Sequence, residues 1–142
     1  MHIVCFQGGF ANQLFQLCLY LRLKELYKDD VVADLSLYEI VKDHGGYKLD
    51  RFIQLDTTSL TYDGKMVLVT EDDFDNALLD KSDNDRYYRG YWQSTRFFPK
   101  DLTIVKNIFN TIELEGKNKE YSEHIDACNS VALHVRRGDY VN

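Results

Sequence analysis

The sequence predicts an α/β fold, and three observations carry that prediction. The apolar run His2-Ile3-Val4-Cys5-Phe6 ends at Gly8-Gly9, which reads as a strand running into a tight turn. After Asn12 a long stretch has no Gly or Pro until Gly45 and places Leu14, Leu17, Cys18 and Leu21 at three- and four-residue spacing, the pattern of a half-buried helix. Val31-Val32-Ala33-Asp34-Leu35 then supplies a second β-branched run. Strand, helix and strand at these lengths make a βαβ unit with parallel strands and a right-handed crossover.

Each element has a local reason. Asn12 is a candidate N-cap for the helix, and Arg22, Lys24, Glu25 and Lys28 fall off its apolar stripe. Lys28 followed by Asp29-Asp30 marks its stop. Residues 36–81 carry a weaker pattern and predict loops and short helices, with a loop at His44-Gly45-Gly46, a strand over 66–70 and the acidic Glu71-Asp72-Asp73 before Phe74. Residues 87–98 hold Tyr87, Tyr88, Tyr91, Trp92, Phe97 and Phe98, and predict a buried edge or cleft wall. A helix is expected over about 101–109, a polar amphipathic segment over 118–128, and a final strand at Val131-Ala132-Leu133-His134-Val135.

The 142 residues, 44% of them hydrophobic, suit one domain with a real core. A net charge of −6 argues against binding nucleic acid through a broad basic face, although a local basic site stays compatible with it. No apolar stretch reaches bilayer length, and the N-terminus lacks a basic leader followed by an apolar run, so a cytoplasmic location is expected. Cys5, Cys18 and Cys128 are odd in number and widely spaced, and are expected to be reduced, small core residues.

Arg136-Arg137-Gly138-Asp139 follows the last predicted strand, at the end of an α/β strand where ligands gather. Arginine stays charged at physiological pH and grips phosphate oxygens two at a time, which suits a departing diphosphate. Asp139 could orient one arginine or act on a proton. A solvated turn with an internal ion pair explains the same four residues equally well. The sequence stops at Asn142, just past this strand, and a strand that delivers charge to a site normally leads into protein that completes it.

Gly8-Gly9 lets a backbone approach a ligand closely at a helix N-terminus, yet it matches neither the dinucleotide fingerprint nor a phosphate loop and could be only a turn. Asn12 and Gln13 are polar groups beside an apolar helix face. His44-Gly45-Gly46-Tyr47 with Asp50-Arg51 could contact a polar acceptor such as a sugar, or form a surface loop with a local ion pair. No metal-ligand spacing of His, Cys, Asp or Glu is present, so no metal is expected.

Four segments in order, Gln7-Gly8-Gly9-Phe10-Ala11-Asn12-Gln13-Leu14-Phe15-Gln16, His44-Gly45-Gly46-Tyr47-Lys48-Leu49-Asp50, Gly90-Tyr91-Trp92-Gln93-Ser94 and His134-Val135-Arg136-Arg137-Gly138-Asp139-Tyr140, together resemble the bacterial α-1,2-fucosyltransferases of glycosyltransferase family 11. The resemblance spans the chain but only the family's N-terminal half. It implies a Rossmann-like N-terminal domain of a GT-B type glycosyltransferase, residues 1–142, with the C-terminal domain absent. It further implies inverting, metal-independent transfer of L-fucose from GDP-fucose to the 2-hydroxyl of a galactose-terminated glycan, with no cofactor beyond the donor. Arg136 would grip the β-phosphate, with Arg137 in support. His134, Gly8 and Asn12 would complete the donor side, and Asp139 would share the catalytic role with Arg136. His44, Asp50 and Trp92 are the acceptor-side candidates. Ala11 stands where family members commonly have Gly. With half the fold, little activity is expected, and a non-catalytic nucleotide- or glycan-binding module is the alternative. Peripheral association with the inner membrane stays open.

Overall fold

The computed structural model describes residues 1–41, 45–133 and 135, and the chain divides into two compact units, residues 1–111 and 112–142. The first unit is built on five parallel strands in the order β3-β2-β1-β5-β4: β1 (His2–Cys5), β2 (Val31–Asp34), β3 (Thr57–Thr58), β4 (Val67–Val69) and β5 (Arg86–Tyr88). β1 lies at the centre and is buried along its length, as a parallel strand covered on both faces must be, which is why it reads as an unbroken apolar run.

Helix α1 (Phe10–Tyr27) returns the chain from β1 to β2, as the sequence predicts, and packs Leu17, Tyr20 and Leu23 with Val4, Phe6 and Val31 in the main core. It stops where expected: Lys28 takes a left-handed φ of 52° and a short 3-10 turn over Lys28–Asp30 follows. Its start differs from the expectation. Gly9 in extended backbone is the N-cap, so Asn12 lies within the first turn and caps nothing. The reversal is already made at Gly8, whose φ is +75°, and the helix therefore begins as soon as the glycines end.

The aromatic run is expected at a buried edge or cleft wall; it is buried at Tyr87, Tyr88, Trp92 and Phe97, but its first members form β5, between β1 and β4 inside the sheet and not at an edge. Strand alternation sends Tyr88 to the main core with Trp92 and Phe97, and Tyr87 to the other face with Ile3 and Cys5. Two adjacent buried aromatics are what a strand covered on both faces requires. Short helices α2 (Leu37–Ile40) and α3 (Phe74–Leu79), and α4 (Thr103–Asn110), complete this unit.

The second unit contains α5 (Gly116–Asp126). The final strand expected over 131–135 is not formed by its described residues: 131–133 and 135 have no ladder partner among the described residues, and Val131 and Leu133 are 95% and 88% exposed. A strand is held by neighbours that satisfy its backbone groups, and apolar residues alone do not supply them. All three cysteines are free, but Cys128 is exposed, so only Cys5 and Cys18 are core residues. Among the described residues no helix is long and apolar enough to cross a membrane.

At the amino end of the sheet His2 is buried, stacked on Tyr27 with ring centroids 3.7 Å apart, and hydrogen-bonded through Nδ1 with the Tyr88 hydroxyl at 2.9 Å. Burial first, then the N-terminal ammonium and Arg86, lower its pKa from 6.5 to about 4. The unfolded chain therefore binds the extra proton more readily. Stability from the neutral ring is full above pH 6.5 and is lost as pH falls toward 4, by about 1–3 kcal/mol. Urea titrations at pH 7 and pH 4.5 should show this loss in wild type and a smaller one in His2→Phe; equal losses would show that His2 does not titrate in this window.

Candidate functional site

The carboxyl ends of β1, β2 and β5 deliver three loops to one place. β1 runs into Gly8, β2 into α2 and the loop that reaches Gly46, and β5 into Gly90 and Tyr91. The strand order breaks between β1 and β5, whose neighbours belong to different passes of the chain, and open α/β sheets bind ligands at the carboxyl side of such a break.

Two fully buried glutamines on α1 tie these loops together. Gln13 Nε2 donates to the carbonyls of Gly8 and Gly46, each at 3.0 Å, and its Oε1 accepts from Lys48 N at 2.9 Å. Gln16 Oε1 accepts from Gln7 N at 2.9 Å, and its Nε2 donates to the Gly90 carbonyl at 3.2 Å. The Tyr38 hydroxyl adds a bond to the Gly8 carbonyl at 3.1 Å. Three of the four sequence segments are thus joined by uncharged side chains that satisfy loop backbone groups.

Gly8 has little room for a side chain. An added Cβ would stand 2.7 Å from Asn12 Nδ2 and 3.2 Å from Tyr91 Cε1, at a φ that disfavours other residues. Asn12 Oδ1 accepts from Gln93 Nε2 at 2.7 Å, which links the first turn of α1 to the loop after β5. Both donor-side candidates among the described residues, Gly8 and Asn12, therefore lie at the carboxyl end of β1.

Trp92 sits differently from a residue that touches a ligand. It is 0% exposed and packed edge-on against Phe97, 5.0 Å between centroids, and Phe74, 5.9 Å. Its φ is +59°, a conformation that costs a non-glycine residue about 1–3 kcal/mol and tends to mark functional loops. Glu71 holds this turn: its Oε1 accepts from the backbone N–H of Tyr91 at 3.0 Å and of Trp92 at 2.7 Å. The exposed aromatic at this surface is Tyr91.

Asp50 is exposed and lines a separate hollow with Leu35, Tyr47 and Thr57. Burial, followed by the Asp50 charge, pushes the Tyr47 phenol up to about 12. Asp34, at the end of β2, is fully buried and accepts from Ser36 N at 2.8 Å and from the Tyr87 hydroxyl. Burial and that bond raise the Tyr87 pKa, so the phenol stays a donor. His44, His134, Arg136, Arg137 and Asp139 lie outside the described residues. Among the described residues no group of three or more His, Cys, Asp or Glu side chains converges as a metal site would need.

Sequence reading missed Glu71, Gln16 and Asp34. Glu71 stands in an acidic run that looks solvated, and Gln16 is at helical spacing from Gln13, a signal that two amides share one buried face. No protein-family profile matches the chain, and no solved structure does. The chain is similar to an α-1,2-colitosyltransferase of Escherichia coli, 27% identical over 156 aligned residues that cover 95% of this chain and 53% of that protein. It thus spans about half the length of the curated relative it matches.

Proposed function

We propose that the chain is the donor-binding N-terminal half of an inverting, metal-independent glycosyltransferase with the GT-B arrangement. The observation that carries this is the convergence of the loops after β1, β2 and β5, fastened by Gln13 and Gln16, at the break in strand order. Similarity to an α-1,2-colitosyltransferase along nearly the whole chain supports glycosyl transfer to a sugar acceptor. The four segments, by their resemblance, favour L-fucose carried by GDP as the donor and the 2-hydroxyl of a galactoside as the acceptor.

In this mechanism the bond from the sugar anomeric carbon to the diphosphate breaks as the acceptor oxygen bonds to the opposite face of that carbon. The electron pair leaves with GDP, and the acceptor proton passes to a carboxylate. Arg136 stabilises the charge growing on the β-phosphate, with Arg137 and His134 in supporting roles. Asp139 is the proposed base, and His44 and Asp50 are the candidates for contact with the acceptor. Gly8 and Asn12 shape the donor wall. A cytoplasmic location at the periphery of the inner membrane goes with this reading.

A second reading follows from the relative's name: the sugar carried is colitose. Turnover assays with fucosyl and colitosyl donors would separate the two. Calorimetry with GDP tests the shared claim. Arg136→Ala should weaken GDP binding about tenfold or more, the worth of one charge-assisted phosphate contact. Unchanged GDP affinity would sink the phosphate assignment, and GDP binding with no turnover in any longer form would favour a non-catalytic module.

A further inference from the structure

The loop after β5 turns its aromatic pair in an unexpected sense: the indole of Trp92 is wholly inside, and the phenol of Tyr91 is 47% exposed. That choice is enforced by the backbone. Glu71 Oε1 binds both the Tyr91 and the Trp92 N–H, and the left-handed Trp92 sends its ring inward against Phe74 and Phe97. Tyr91 is thus fixed at its main chain while its ring stands at the surface. The ring is backed by Gly8, where a Cβ would stand 3.2 Å from Cε1.

Beside it is the Asn12–Gln93 pair, joined Nε2 to Oδ1 at 2.7 Å. That bond leaves Asn12 Nδ2 as a donor and Gln93 Oε1 as an acceptor, with no hydrogen bond to either among the described residues. One exposed aromatic ring next to an uncharged donor and acceptor suits a ligand with an apolar C–H face and hydroxyls at its rim. A pyranose ring has that form. A diphosphate would call for cations, and a purine for a slot with an aromatic surface on either side.

We infer that Tyr91 is the stacking platform for a pyranose ring, that Asn12 and Gln93 take its hydroxyls, and that Glu71 is the positioning residue that holds the platform. The inference rests on the glycosyl-transfer reading for why a sugar comes to this wall. The pyranose could belong to the donor or to the acceptor glycan, since both share this chemistry.

The test compares wild type, Tyr91→Phe, Tyr91→Ala and Glu71→Ala in three titrations: GDP, GDP-fucose and methyl β-galactoside, followed by calorimetry and saturation-transfer NMR. Tyr91→Ala is expected to weaken one sugar arm about fivefold or more, with Tyr91→Phe within about twofold of wild type. A loss confined to GDP-fucose makes the donor sugar the occupant, and a loss confined to the galactoside makes it the acceptor. Glu71→Ala should weaken the same arm. GDP binding should not change. Equal loss for GDP and GDP-fucose, or no Tyr91-dependent sugar binding in either arm, overturns the platform. GDP binding that persists with Tyr91 irrelevant would leave the glycosyl-transfer reading standing, whereas failure to bind GDP at all would remove that reading separately.

Discussion

Replacing Trp92 with alanine should destabilise the unit of residues 1–111 by about 3–5 kcal/mol. The indole is fully enclosed and meets Phe74, Phe97 and Tyr88 at centroid distances of 5.9, 5.0 and 6.2 Å, so its removal opens a cavity whose aromatic walls cannot close without leaving the sheet. Trp92→Phe should cost far less, about 1–2 kcal/mol, because a ring remains. The indole Nε1 is buried with no hydrogen-bond partner among the described residues, so phenylalanine forfeits no bond there and removes an unsatisfied donor. Urea midpoints of the three proteins, followed by far-ultraviolet circular dichroism, check this. A loss below about 1 kcal/mol for Trp92→Ala would mean that the aromatic cluster does not pack as described.

The second large effect is expected at Gln13. Gln13→Leu preserves bulk and apolar contact but strips bonds from the Gly8 carbonyl, the Gly46 carbonyl and the Lys48 N–H. The Gly8 carbonyl keeps its bond from the Tyr38 hydroxyl, so the Gly46 carbonyl and the Lys48 N–H are the groups left unpaired. Each costs about 1–3 kcal/mol when dry, and partial access to water at these loops brings the expected total to about 3 kcal/mol. The damage should also be local in kind. With Gly8 and Gly46 no longer tied to one side chain, ligand affinity should fall further than stability alone predicts. Trp92, the sole tryptophan, lies in a neighbouring loop and gives a fluorescence readout of unfolding for this variant. A Gln13→Leu protein with wild-type midpoint and wild-type GDP affinity would show that the carboxamide fastens nothing.

Much of the first unit was readable from residues 2–35. A central parallel strand, a long helix with its apolar positions three and four apart and a second strand each carry a strong periodic signal, and all three form with the parallel pairing expected. What could not be read has physical causes. Asn12 looked like a cap because asparagine often is one, whereas two preceding glycines had already turned the chain. β5 is only three residues long, too short to show alternation, so its tyrosines read as a buried edge or cleft wall and not as an inner strand. Residues 131–135 have strand composition, but composition does not provide a ladder partner, and 131–133 and 135 have none among the described residues.

The site was legible as separate motifs and illegible as a place. Nothing in the spacing of Gln7, Gly46 and Gly90 says that one helix turn carries the two amides joining them. Exposure was equally hidden at Tyr91-Trp92, where both residues favour interfaces and only the backbone conformation, set by Glu71, decides which ring faces water.

The central place of β1 has a consequence for how the protein comes into being. β1 leaves the ribosome before the other four strands of the sheet, and one of its two edges waits for residues 86–88 to be made. Until then an apolar strand pairs only with β2 and offers its other edge to any chain nearby, so the interval between the two pairings is when the nascent protein is most open to misassociation. Closing that edge means closing a long loop, a slow and entropically costly step, and the Gln16 bond to Gly90 is among the contacts that can form only after it. The wall where Gly8, Asn12 and Tyr91 meet is therefore among the last features to appear, and a chaperone that shields β1 during synthesis would raise the yield of folded protein.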